Sequence, residues 1–214
     1  ILWVLLVALA AAIMALGAAG LLLSAETIDT VFAETGPFER ASIWLWVILG
    51  LACLGQRSWP FGRRALFAVL AFVLAMREAD WHKAFTTDSI FKSNYYLEAA
   101  APVWEKVIGG AVAIAALVVL VRVATLGWRG LVTHRGITRP WGILAVIGAA
   151  LLPVVKVLDR AYNVLNEDYG IQLSSQLRSL TSALEEGTES LLPLLFLAAI
   201  WLHRRQASRH PPQT

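Results

Sequence analysis

The sequence predicts an all-α integral membrane protein of six transmembrane helices arranged as three outward hairpins, with both termini cytoplasmic. Three observations lead there. Of the 214 residues, 58% are hydrophobic and only 15% charged, against about a quarter charged in soluble domains. Apolar runs of membrane-crossing length recur along the chain, and the charges between them segregate by sign. The net charge of +3 and pI near 9.3 would suggest a nucleic-acid partner for a soluble domain. In a chain this apolar the imbalance belongs to the two membrane faces, and no nucleic acid is expected. A single cysteine, Cys53, sits inside an apolar run, which excludes intrachain disulfides and cysteine-based metal centres.

Residues 1–23 form an unbroken apolar run, longer than the roughly 30 Å of bilayer hydrocarbon at 1.5 Å per residue. It lacks a basic leader and reads as an anchor, with Gly17 and Gly20 permitting close approach of another helix. Gly36-Pro37 opens the second helix, 37–56, since proline suits a first helical position. A Pro/Gly turn flanked by Arg57, Arg63 and Arg64 leads into the third, 64–84. Residues 86–101, polar and aromatic, read as an interfacial segment or lid. Pro102 starts the fourth helix, 102–122, and Pro140 the fifth, 140–168, which contains Pro153. Leu173, Leu177, Leu180 and Leu184 hold helical spacing into the sixth, 175–205. Residues 1–205 are thus expected to form one domain, followed by a mobile basic tail, 206–214.

Orientation follows from the charges. Segments 56–64, 122–139 and 203–214 hold ten Lys/Arg and no acidic residue, whereas the opposite face holds all fifteen Asp/Glu with the other eight cations. The positive-inside rule places the basic segments in the cytoplasm, and with them both termini, in a bacterial inner membrane.

Counting about twenty residues from each cytoplasmic boundary brings many charged groups to one outer layer. Residues 77–83, Arg-Glu-Ala-Asp-Trp-His-Lys, form its densest part. Glu78 and His82, one turn apart, share a helix face and suit acid–base work, with Asp80 as a further candidate. Arg77 and Lys83, Glu105 and Lys106, Asp159 and Arg160, and Glu185, Glu186 and Glu189 are the candidate ligand-binding groups. Intramembrane ionisable residues mark a site or a pairing network by default. Glu78, His82, Glu185 and Glu189 are weak candidates for a divalent metal. No cofactor is expected, because zinc usually takes more His or Cys than this.

The 77–83 stretch, with Phe85-Thr86, Ser89-Ile90, Lys92, Tyr95-Tyr96 and residues 102–106, is similar to uncharacterised bacterial polytopic membrane proteins over about thirty residues. The resemblance implies a shared architecture and brings no activity. Residues 185–193, Glu-Glu-Gly-Thr-Glu-Ser-Leu-Leu-Pro, resemble the acidic motif of undecaprenyl-pyrophosphate phosphatases, but that family's other motifs have no counterpart here. The expected function is an outward-facing lipid-headgroup or small-anion site, with Arg77, Lys83 and Arg160 holding the anion. The alternative is a non-enzymatic membrane subunit or scaffold whose charges only join helices; a proton-coupled transporter is third. Membrane lipids, a membrane-protein partner or a second copy are the expected partners.

Overall fold

The computed structural model describes residues 1–33, 36–84, 86–97, 100–167, 169–171 and 174–209, and within them every side chain except those of residues 82, 83, 159, 161–163, 166, 167 and 209. The described chain is helical throughout: α1 Leu2–Leu22, α2 Ala25–Val31, α3 Pro37–Leu54, α4 Phe61–Glu78, α5 Trp81–Ala84, α6 Ser93–Leu97, α7 Val103–Trp128, α8 Pro140–Glu167 and α9 Ser175–Arg209. It divides into two compact units. Unit 1 is Ile1–Leu45 with Ile137–Thr214, unit 2 is Trp46–Gly136, and the boundary falls inside α3.

In unit 1, α9 is the organising helix. Both α1 and α8 pack along it, and α2 leans on it. Toward the C-terminal end of α9, Leu195, Ala199 and Leu202 bury with Leu144 of α8, against Leu2, Leu5, Leu6 and Leu9 of α1. The α1 leucines recur at helical spacing, so one stripe meets α9. Further along, Leu16 of α1 and Ala183 of α9 enclose Ile28 and Phe32, the apolar side of α2. Ser24 starts α2 by accepting the Thr27 N–H at 3.3 Å, so α1 and α2 join through a short capped turn.

Small residues set the α1–α9 spacing. A Cβ at Gly20 would stand 2.6 Å from Leu180 Cα, and one at Gly187 would meet Leu16 Cδ2 at 2.3 Å. Each helix thus supplies a hole for a leucine of the other.

In unit 2, α4 packs on α7. Ala68, Ala71 and Ala75 of α4 are buried, one narrow face of small side chains. The Phe72 ring sits where a Gly50 Cβ would go, fitting α4 to the C-terminal half of α3, where Trp46, Leu49 and Cys53 are buried. Arg64 Nη1 donates to the Leu54 carbonyl at 3.3 Å, closing the α3–α4 turn. Asp80, in the left-handed region at φ +53°, ends α4 and turns the chain into α5.

The expectation of six transmembrane helices needs correction. Among the described residues, four helical segments are long and apolar enough to cross a membrane: Leu2–Leu22, Pro37–Leu54, Val103–Thr133 and Pro140–Leu158. The two that fall short share a reason. In α4, twelve apolar residues, 65–76, lie between Arg63-Arg64 and Arg77-Glu78, about 18 Å of helix against about 30 Å of hydrocarbon. In α9, Glu185, Glu186 and Glu189 interrupt the helix and leave an apolar stretch of the same length, 191–202. The three-hairpin arrangement is corrected with it, because the main partner of α1 is α9 and not the next long helix.

Gly20→Ala is expected to cost about 1–3 kcal/mol, since the contact is with backbone and the helices must part. Gly127→Ala, with nothing within 4 Å of the new Cβ, should leave stability unchanged or raise it by up to about 1 kcal/mol through helix propensity. Thermal unfolding of both variants in one detergent checks the contrast.

Candidate functional site

The most completely built polar site is at the start of α7. Pro102 presets the first turn, and Glu105 follows in it, 9% exposed. A buried carboxylate needs hydrogen-bond donors or it reverts to its neutral form. Here three arrive from one side. The Thr87 N–H donates to Oε1 at 2.6 Å, the Thr87 hydroxyl donates at 3.0 Å, and the Tyr95 hydroxyl donates at 3.0 Å. One turn along the same face, Gly109 leaves room for Ile90 and the Tyr95 ring; a Cβ there would be 2.9 Å from Ile90 Cγ2. Glu105 and Gly109 together fasten residues 87–95 onto α7.

The fastened segment is also knit to itself. Tyr96 packs edge-on against Tyr95 at 4.9 Å and donates to the Ile90 carbonyl at 2.7 Å. Lys106 donates to the Tyr96 carbonyl at 3.2 Å. Asp88 accepts the Ser89 N–H at 2.6 Å and pairs with Lys92 at 3.5 Å. Lys106 therefore closes a helix–loop contact, and Oε1 of its neighbour Glu105 is engaged by the same segment.

Tyr95 is completely buried, and its phenol is pushed up from 10 to about 12, first by burial and then by its hydrogen bond to the Glu105 carboxylate and the charge there. Among the described residues, Glu78 is 8% exposed on its side chain and has Arg77 Nη1 at 3.4 Å. Asp80 occupies the turn after α4 and is not without a partner. The side chains of His82 and Lys83 lie outside the described residues, so the expected Glu78–His82 pairing does too.

The other candidates belong to unit 1. Glu189, buried on α9, is 3.2 Å from Lys156 on α8, an ion pair that ties the two helices just past Pro153. Lys156 was not among the expected site residues, although its place one turn after that proline was visible. Glu185 and Glu186 are half-buried and each has a partner. Arg160 is exposed, and the side chain of Asp159 lies outside the described residues. Among the described residues no three His, Cys, Asp or Glu side chains converge to hold a metal.

The expected outward-facing cluster, open to a headgroup or small anion, is therefore corrected. Its members divide between the two units, and Glu78, Glu105 and Glu189 are engaged by groups of the chain itself. The same finding overturns the expected intramembrane charge layer of a six-helix bundle. Thr87 and Tyr95 were missed because their roles depend on a loop folding back over eighteen and ten residues. Gly109, four residues after Glu105, was the one local signal: a helix face with a carboxylate and then no side chain.

Because the folded state holds Tyr95 protonated beyond its ordinary range, its contribution to stability is complete below pH 10 and is lost as the pH rises toward 12. In ultraviolet difference titration, one of the four tyrosines should ionise last, near pH 12, and this step should vanish in Tyr95→Phe. Comparison with family models, with curated proteins and with solved structures finds no match for this chain.

Proposed function

We propose that this chain is a non-enzymatic subunit or scaffold of a bacterial cytoplasmic membrane, whose ionisable groups hold its own helices and loops in place. The observation that carries this reading is the engagement of Glu105 Oε1 by Thr87 and Tyr95. A carboxylate spent on three internal donors is a fastening, and Lys156–Glu189 does the same work between helices.

Two further observations support the membrane setting. Only 6% of the most apolar window of α7 and 11% of that of α1 is buried within the chain, and bare apolar helices of this length need hydrocarbon or a partner helix around them. Trp104 and Trp128 are both exposed and stand twenty-four residues apart on α7, about 36 Å along its axis. That span reaches from one interfacial zone to the other, where tryptophan is favoured. A bare α7 and α1 then offer surfaces for a partner subunit or a second copy.

Native mass spectrometry of the protein released from nanodiscs should report the chain with a protein partner or in more than one copy. A lone monomer retaining a stoichiometric small molecule that Glu105→Gln releases would overturn the reading. Glu189→Gln is expected to lower stability by about 1 kcal/mol, a modest cost because Lys156 is 40% exposed and becomes solvated. Unfolding in detergent measures it.

A further inference from the structure

At the other end of the α4–α7 pair from Glu78 and Glu105, unit 2 contains a cleft of about 570 Å³. The start of α4 contributes Arg63 and Leu66; the end of α7 and the turn after it contribute Val121, Arg122, Leu126 and Arg129. Arg122 and Arg129 are seven residues apart, two helical turns, and so face the same way. Arg63 enters from the facing helix. None of these residues belongs to the charge cluster expected from the sequence.

The electrostatics of the cleft are one-sided. No carboxylate lines it, and segments 56–64 and 122–139, which supply most of its wall, contain no Asp or Glu. None of the three guanidinium groups has an ionic or hydrogen-bond partner among the described residues. The adjacent Arg64 gives the contrast. It donates to the Leu54 carbonyl and lies 5.7 Å from the Phe61 ring centroid, so it is engaged in the fold while Arg63 is not. Three like charges gathered on one cavity repel each other unless an anion is shared between them. The guanidinium fork matches phosphate oxygens two at a time.

The remaining wall is apolar. Leu66, Val121 and Leu126 border the cationic edge, and the cleft opens beside the bare surface of α7. A single inorganic phosphate would use the arginines and leave this wall, and most of the volume, empty. The cleft is half open and has room along this wall for more than a phosphate, and basic pockets between helices near a membrane surface suit anionic lipid headgroups.

We propose that the cleft binds an anionic glycerophospholipid, its phosphate held by Arg63, Arg122 and Arg129 and its first acyl carbons laid along Leu66, Val121 and Leu126. The proposal rests on the membrane reading above and adds a specific lipid class and site to it.

The test uses the full chain in phosphatidylcholine nanodiscs doped with phosphatidylglycerol, with retained lipid counted by native mass spectrometry after release. The wild type should hold phosphatidylglycerol selectively. The combined variant R63Q/R122Q/R129Q should bind it about a hundredfold more weakly, each arginine being worth about fivefold at an anionic membrane surface. Leu66→Trp, which fills the cleft and keeps all three charges, should also release the lipid, so the outcome does not hang on the triple variant folding. R204Q/R205Q, with charges removed from the end of α9, should retain it. Equal retention by the triple variant and Leu66→Trp would overturn the site. Displacement by millimolar inorganic phosphate would overturn the lipid assignment in favour of a soluble anion. Failure of the membrane reading itself would appear separately, as recovery of the wild type in the soluble fraction without any nanodisc.

Discussion

The cost of removing a carboxylate from water governs much of this structure. A chain so apolar has little solvent to offer its acids, so each buried one must find donors within the fold. Glu105 takes three from the 87–95 segment, Glu189 takes Lys156, and Glu78 takes Arg77. The first lays a loop on α7 and the second clamps α8 to α9, while the third stays within α4. Pairs of this kind add little net stability over apolar packing, and since Lys156 and Arg77 are each more than a third exposed, losing the carboxylate leaves them solvated. Their value here is placement.

Much of the architecture was legible because apolar periodicity and proline punctuation are local. Pro37, Pro102 and Pro140 each stand at or just before a helix start, as the sequence suggests, and Gly20 does admit a close neighbour. The count of crossings was less legible. Hydrophobicity distinguishes a run of twelve from one of twenty only when the flanking charges are assigned to solvent or to partners. For α4 and α9 that assignment depends on packing. Read as membrane-depth charges they lengthen the apparent span; read as pairing groups they end it.

The site was less legible still. The acidic residues could be located to particular helices, but the single outer layer expected of them is overturned by their engagement with groups of the chain itself. Sequence could not say which donors would reach them. The partners of Glu105 lie ten and eighteen positions upstream, on a segment whose path is set by Tyr95, Tyr96 and Ile90 packing over Gly109 and Gly110. Partnering across a loop of this length is a tertiary fact. The basic cleft was half visible, since Arg63, Arg122 and Arg129 were evident as charges of two basic segments. Only the packing of α4 on α7 turns them into one wall.

The reciprocal fit of Leu16 against Gly187 and of Leu180 against Gly20 bears on how the molecule is made. Unit 2 is one uninterrupted segment, Trp46–Gly136, inserted between the two parts of unit 1. It can close as soon as α7 leaves the ribosome. Unit 1 cannot, because α9, which receives α1, is synthesised after all of unit 2. Until then α1 keeps an unfilled notch at Gly20, and whatever shields it must yield when α9 arrives. Closure of unit 1 therefore waits on α9, and loss of α9 should strand a nascent protein in which unit 2 is complete and unit 1 is not.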